Sequence, residues 1–138
     1  MKKVLVTGTF DLLHPGHLRL FDDAKKYGEY LIVVVARDVN VERIKGIKPK
    51  YNEKERLKHV AELPIVDKAV LGSKNDWYKT IEAEKPDTIC LGYDQQIDEA
   101  KLKFDLEERG ISPRIVRLSA YKPHIYKSSK LKEKLNKK

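Results

Sequence analysis

The chain has 138 residues, 41% of them hydrophobic and 36% charged, with 29 Lys and Arg against 21 Asp and Glu for a net charge of +8. That length holds one domain with a real core and leaves no room for two independent ones. The single cysteine, Cys90, excludes an internal disulfide, no Cys/His grouping has zinc-site spacing, and the apolar runs are too short for a signal peptide or a membrane span.

Residues 3–9 are apolar and β-branched, as in a strand buried on both faces. A glycine-bearing turn follows, Gly8-Thr9-Phe10-Asp11, and then His14-Pro15-Gly16-His17. Pro15 suits the first turn of a helix, where its missing N–H has no partner in any case. Gly16 removes a side chain where a phosphate would approach the backbone. His14 and His17, three apart, share one helix face, so both imidazoles can reach one phosphate group, and a helix start adds free N–H donors and a positive dipole end.

The helix is expected over 15 to about 27, with Leu18, Leu20, Phe21 and Ala24 toward the core and Gly28 near its end. Residues 30–36 form the most apolar run, a central parallel strand. Residues 39–50 carry charges, Gly46 and Pro49 without a clean period, which reads as a short helical turn and then a loop. Asn52 and Glu55 fit a capping box that opens a helix to about residue 63. A third strand is expected over 67–71, a helix from Asn75 or Asp76 through 84, and a fourth strand over 87–91 with Gly92-Tyr93-Asp94-Gln95 as its following turn. An amphipathic helix over 97–109, a fifth strand over 114–118, a loop over 119–126 and a final helix from about 128 to 138 complete the chain. Seven Lys and one Glu lie between Lys122 and Lys138, so +6 of the net charge belongs to this tail and +2 to everything before it.

Strands alternating with helices predict an α/β fold: a single Rossmann-like domain over 1–138, with a five-stranded, mainly parallel sheet and helices on both faces. Ligands in such sheets sit beyond the carboxyl ends of the strands at the switch point. Gly8-Thr9, Ala36-Arg37-Asp38, Gly92-Tyr93-Asp94 and the loop after Leu118 all fall at such ends. Cys90 alternates with apolar neighbours and reads as a small core residue, and Trp77 reads as packing.

Gly8-Thr9-Phe10-Asp11 followed by His14-Pro15-Gly16-His17 resembles the cytidylyltransferase-like branch of the nucleotidyltransferases, whose hallmark is a His-x-Gly-His pair after the first strand. Within that branch, Ala36-Arg37-Asp38, Ile44-Lys45-Gly46-Ile47-Lys48-Pro49, Leu91-Gly92-Tyr93-Asp94-Gln95 and Lys127-Ser128-Ser129 are most similar to the small archaeal FAD synthases, which are FMN adenylyltransferases. Bacterial glycerol-3-phosphate cytidylyltransferases are near relatives. Those carry an Arg-Thr-Glu-Gly-Ile-Ser-Thr type segment before the last helix; here it is replaced by Tyr121-Lys122-Pro123-His124-Ile125-Tyr126-Lys127-Ser128-Ser129. Loss of its arginine and acidic members points to ATP rather than CTP.

The resemblance implies attack by an FMN phosphate oxygen on the α-phosphorus of ATP, giving FAD and pyrophosphate. A phosphate monoester is mostly dianionic at pH 7, its second pKa being about 6, so the nucleophile needs no general base. The site must supply in-line positioning and charge stabilisation. In that scheme His14 and His17 act on the triphosphate and its transition state, with backbone N–H groups of Thr9 and Phe10 beside them. Lys45 and Lys48, on a mobile loop, close over the phosphates or the incoming FMN phosphate. Asp94 and Gly92 contact the nucleotide, as does Tyr121; Lys127, Ser128 and Ser129 bind the β- and γ-phosphates at the last helix's start. Asp11 and Asp38 are placed to orient a histidine, water or a divalent ion.

A divalent cation such as Mg²⁺ is expected on the nucleotide's phosphates, with no dedicated protein metal site. Tyr93, Tyr121 and Tyr126 are preferred over Trp77 as walls for the flavin. A cytoplasmic homodimer with ATP and FMN as substrates is implied, with no membrane and no nucleic-acid partner. Two alternatives stay open: a CTP-dependent transferase acting on glycerol 3-phosphate or another alcohol phosphate, and a non-catalytic nucleotide or nucleic-acid binding module.

Overall fold

The computed structural model describes residues 1–118. The final helix expected over about 128–138, and with it Tyr121, Tyr126, Lys127, Ser128 and Ser129, lies outside the described residues.

Five strands, β1 (Lys3–Gly8), β2 (Tyr30–Val35), β3 (Lys68–Leu71), β4 (Thr88–Leu91) and β5 (Arg114–Arg117), form one sheet in the order β3-β2-β1-β4-β5. Every ladder is parallel. The helices are α1 (Pro15–Lys25), α2 (Asp38–Lys45), α3 (Glu53–Ala61), α4 (Trp77–Glu84) and α5 (Glu99–Glu108). Side chains alternate along β1 and β2: Val4, Val6, Leu31, Val33 and Val35 pack with Phe21 and Ala24 of α1 and Val60 of α3. Leu5, Ile32 and Val34 enter a second cluster with Ile81 of α4 and Leu102 and Leu106 of α5. Both faces of each central strand are therefore covered, which is why these strands read as unbroken apolar runs. Cys90 is wholly buried in the first cluster, and burial pushes its thiol pKa up to about 12, so it behaves as a core residue.

The expected α/β architecture is present, with a wholly parallel sheet. Strand order reverses between β2 and β4 on either side of β1, which places the switch point at the β1–β4 boundary. Six residue pairs link β1 to β2, but only Val4–Thr88 and Leu5–Ile89 link β1 to β4. The two strands part beyond Leu5, and the crevice opens where they separate.

The capping box at Asn52 is as expected: its side chain accepts from the Glu55 N–H, and Glu55 accepts from the Asn52 N–H. One element differs. Residues 38–45, expected as a single turn before a loop, form the two-turn helix α2, ended by Gly46 at φ 78°. Only Val41 of α2 is buried, while Val39 and Ile44 are exposed, so no apolar stripe announces the helix in the sequence. Its start is tied instead to α3: the Asp38 N–H donates to Glu53, and the Glu53 N–H donates to Asp38. No helix among the described residues is long and apolar enough to cross a membrane.

Candidate active site

Phe10 sits in the left-handed backbone region, at φ 51°, and this turns its ring back beneath the loop after β1. A Cβ on Gly8 would lie 2.7 Å from the Phe10 Cζ, so the ring fills the space a side chain at position 8 would need. The ring meets His17 edge-on with centroids 5.3 Å apart and Phe21 at 5.2 Å, and it is 4% exposed. Phe10 is thus the hard floor under the histidines. The sequence offered it only as a backbone donor.

His14 is the N-cap of α1. Its Nδ1 accepts from the Gly16 N–H at 3.0 Å, and the His17 Nδ1 accepts from the His14 N–H at 3.4 Å, a capping box made of two imidazoles. A neutral ring whose Nδ1 accepts a backbone hydrogen bond carries its proton on Nε2. The two rings stack with centroids 3.8 Å apart and planes inclined by 25°, so the pair forms one double-donor unit at the helix start.

The free N–H groups expected at this helix start are not free. Gly16 donates to His14, the N–H groups of His17 and Leu18 donate to the His14 carbonyl at 2.9 and 3.2 Å, and Pro15 has none to give. The backbone of this helix end therefore offers no free donor at residues 16–18, and the imidazoles are the donors left at its surface. The need for Gly16 changes with it: a Cβ there would lie 2.8 Å from the His14 Cε1, so the residue is small to admit the capping ring.

Burial is the largest influence on His17 and lowers its pKa from 6.5 to about 4; the neighbouring His14 lowers it too, against the Asp94 charge and the Leu12 carbonyl. At neutral pH His17 is an uncharged donor. Asp94 stands exposed at the end of β4, near enough for its charge to be felt by His17.

Behind the turn lies Arg56, wholly buried and unannounced by any motif. It donates to the Thr9 carbonyl at 2.8 Å, to the Tyr51 carbonyl at 3.0 Å and to the Asp38 carboxylate at 2.6 Å. One guanidinium therefore joins the β1 loop, the loop before α3 and the start of α2. Its only sequence signal is spacing: Arg56 lies four residues before buried Val60 on the inner face of α3.

Asp11 and Asp38 depart from the expected role. Asp11 accepts from the backbone N–H groups of Lys50 and Tyr51 at 2.6 and 2.8 Å. Burial alone would raise its pKa, but those hydrogen bonds and the charges of Arg56 and Lys45 hold it below the ordinary value. Asp38 is committed to Arg56 and to the Glu53 N–H. Both carboxylates clamp loops. Among the described residues no group of three or more His, Cys, Asp or Glu could hold a metal ion.

A cavity of about 450 Å³ opens at the carboxyl ends of the strands, lined by Gly8 and Thr9 but by neither histidine, against α4 and α5, which pack on the sheet face opposite to α1. Trp77, Tyr78 and Leu102 wall it from α4 and α5, and Val41 and Ile44 from α2. Arg43, Lys45 and Lys74 also line it, and Asp98 is the one acid among its lining residues. Lys45 thus reaches the cavity from the last residue of a helix, while Lys48 stands exposed on the loop beyond, away from the lining. Trp77, expected as packing, is 38% exposed on this wall, and Tyr93 is 57% exposed and does not contribute to it. Gly92 is buried where the β4 loop begins.

Known proteins resemble this chain along most of its length. The family model described as cytidylyltransferase-like matches residues 5–134. A protein named FAD synthase from Ferroglobus placidus is 50% identical over 120 residues, which is 87% of this chain and 78% of that protein. Another of that name from Thermoplasma acidophilum is 45% identical over 135 residues, covering 98% of this chain and 94% of its own length. A crystal structure of a Thermoplasma volcanium protein, titled as a lipopolysaccharide core biosynthesis protein, superposes with a TM-score of 0.83 at 46% identity and covers 88% of this chain and 98% of that one. Pantoate-β-alanine ligase from Francisella tularensis shares the fold alone, with a TM-score of 0.61 at 17% identity over 85% of this chain and 58% of that one.

Proposed function

We propose that this chain, which belongs to the cytidylyltransferase-like family of nucleotidyltransferases and stands among the archaeal FAD synthases within it, transfers the AMP moiety of ATP to FMN. A phosphate oxygen of FMN attacks the α-phosphorus, the bond from that phosphorus to the β-phosphate's bridging oxygen breaks, and pyrophosphate leaves as FAD forms. The incoming monoester is already largely dianionic near pH 7, so no residue has to remove a proton. An uncharged His17 fits this division of labour, because the pair is needed as donors to charge that builds on phosphate oxygens.

The observation that carries the reading is the adjacency of two unlike sites across one turn. On one side stand the stacked His14 and His17, each with its proton on the outer nitrogen. On the other is a cavity walled by Trp77 and aliphatic side chains and lined with Arg43, Lys45 and Lys74, suited to a planar apolar ring that ends in a phosphate. The nucleotide's phosphates would lie over the histidines, its sugar near Asp94 and Gly92, and the flavin in the cavity. Lys48 would close from the loop after α2, and Tyr121, Lys127, Ser128 and Ser129 would complete the nucleotide's contacts.

A divalent cation accompanies the nucleotide in this scheme. The nucleotide's phosphates would hold it, with no dedicated protein site. It would help neutralise the leaving pyrophosphate.

The test is product analysis. The purified protein is incubated with FMN and ATP, and in parallel with glycerol 3-phosphate and CTP, each with Mg²⁺. FAD and pyrophosphate should appear in the first mixture. Formation of CDP-glycerol without any FAD would replace the proposal by the cytidylyltransferase reading, and no product in either would leave a binding module.

A further inference from the structure

The loop that follows β4 is built around a residue with no place in the reaction as described so far. Arg117, on the edge strand β5, donates from Nη1 to the carbonyls of Gly92 and Gln95 at 2.9 and 2.6 Å, and from Nη2 to the Ile97 carbonyl at 2.7 Å. Its Nε donates to Glu99 at 2.8 Å, which ties the same guanidinium to the first turn of α5. Three carbonyls from six consecutive residues converge on one cation. A run of this kind between a strand and a helix has no ladder of its own to fix its peptide planes, and here Arg117 fixes them.

A second bond holds the loop from the other side. The Gln95 side chain accepts from the Gly92 N–H at 2.7 Å and donates to the Thr7 carbonyl at 3.1 Å, bridging β4 to β1 where their ladder has already ended. The loop is pinned between the switch-point crevice and the guanidinium, and Asp94 lies between the two pinned positions. A peptide unit's C=O and N–H point in opposite directions, so carbonyls turned toward Arg117 turn the N–H groups of Tyr93, Gln96 and Asp98 away from it. None of those three N–H groups has a hydrogen-bond partner among the described residues.

We infer that Arg117 is a positioning residue for nucleotide binding: without touching the substrate, it sets the conformation in which the loop of residues 92–98 presents Asp94 and the backbone N–H groups of Tyr93, Gln96 and Asp98. The inference rests on the placement of the nucleotide at this loop, and not on which nucleotide is used. Arg117→Met keeps the aliphatic stem and removes all four hydrogen bonds. Arg117→Lys keeps the charge but cannot span three carbonyls.

The experiment measures equilibrium binding of ATP, CTP and FMN to the wild type and both variants, with thermal unfolding alongside. Arg117→Met is expected to weaken whichever nucleotide the wild type binds by at least tenfold and FMN by clearly less, since residues 95–98 of the loop are only one edge of the cavity's lining, and Arg117→Lys to recover only part of the loss. Asp94→Asn added to Arg117→Met should cost less than it does in the wild type, because the carboxylate is no longer held in place. Unchanged nucleotide affinity, or equal weakening of nucleotide and FMN in step with a fall in melting temperature, overturns the inference. Failure of the reading of ATP and FMN as substrates would show separately, in the wild type, as CTP binding in place of ATP or no binding of FMN.

Discussion

His14 does two jobs with two nitrogens, and a pair of substitutions separates them. Nδ1 caps α1 by accepting from the Gly16 N–H at 3.0 Å, while in the proposed function Nε2 would carry the proton offered to phosphate. Asn is a good N-cap whose short carbonyl can take over the Nδ1 bond, but it has nothing to replace Nε2. His14→Asn should therefore keep the stability of the fold and lose turnover. Losing one donor to developing oxyanion charge costs about 100- to 1000-fold in kcat, roughly 3–4 kcal/mol. His14→Ala should lose that and the cap as well, and a lost cap costs about 0.5–2 kcal/mol. For a chain of this size the cap corresponds to a melting temperature lower by roughly 2–7 °C. The assay is kcat for FAD formation at saturating ATP and FMN, set beside thermal unfolding of the same preparations. Two results would refute the reasoning: a near-wild-type kcat for His14→Asn, or melting temperatures for the two variants that coincide.

Replacing Arg56 by Met leaves the Asp38 carboxylate without its cation and the Thr9 and Tyr51 carbonyls without their donor. A loss of about 3–5 kcal/mol is expected in urea unfolding, and a loss below 1 kcal/mol would mean that water replaces the guanidinium. The pH dependence of stability carries the signature of His17, whose pKa falls from 6.5 to about 4 on folding. Below 6.5 the unfolded chain takes up a proton that the folded protein refuses, so stability falls as pH drops from 6.5 toward 4. The upper part of that slope should flatten in His17→Asn when urea unfolding is compared at pH 7.5, 6.0 and 5.0; an unchanged slope would assign it elsewhere. Trp77 is the only tryptophan in the chain. Trp77→Ala should raise KM for FMN at least tenfold and leave KM for ATP alone, and equal changes in both would remove the flavin from that cavity.

Elements whose local chemistry is self-contained were legible before any coordinates. Alternating burial on both faces of β1 and β2 leaves an unbroken apolar run, and the Asn52–Glu55 capping box closes within four residues. The spacing of His14 and His17 around Pro15 and Gly16 placed both imidazoles on one helix turn. α2 escaped because its one inward side chain, Val41, makes no stripe, and its start is capped from α3. Asp11 and Asp38 looked like free carboxylates at sheet ends. Their partners are the backbone of residues 50 and 51, Glu53 and Arg56, all distant in sequence.

Periodicity, capping and turn chemistry act over a few residues, and they made the parallel α/β layout and the histidine pair readable from the chain. The tertiary structure decided the rest. Folding engaged the first N–H groups of α1 with His14, set Phe10 under His17, and opened a cavity with Trp77 on its wall. It also used two arginines, Arg56 and Arg117, to hold backbone carbonyls of three loops. In a sequence an arginine reads as surface charge. Only when the strands bring distant carbonyls within 3 Å of one guanidinium does it become the part that fixes where the site's other groups point.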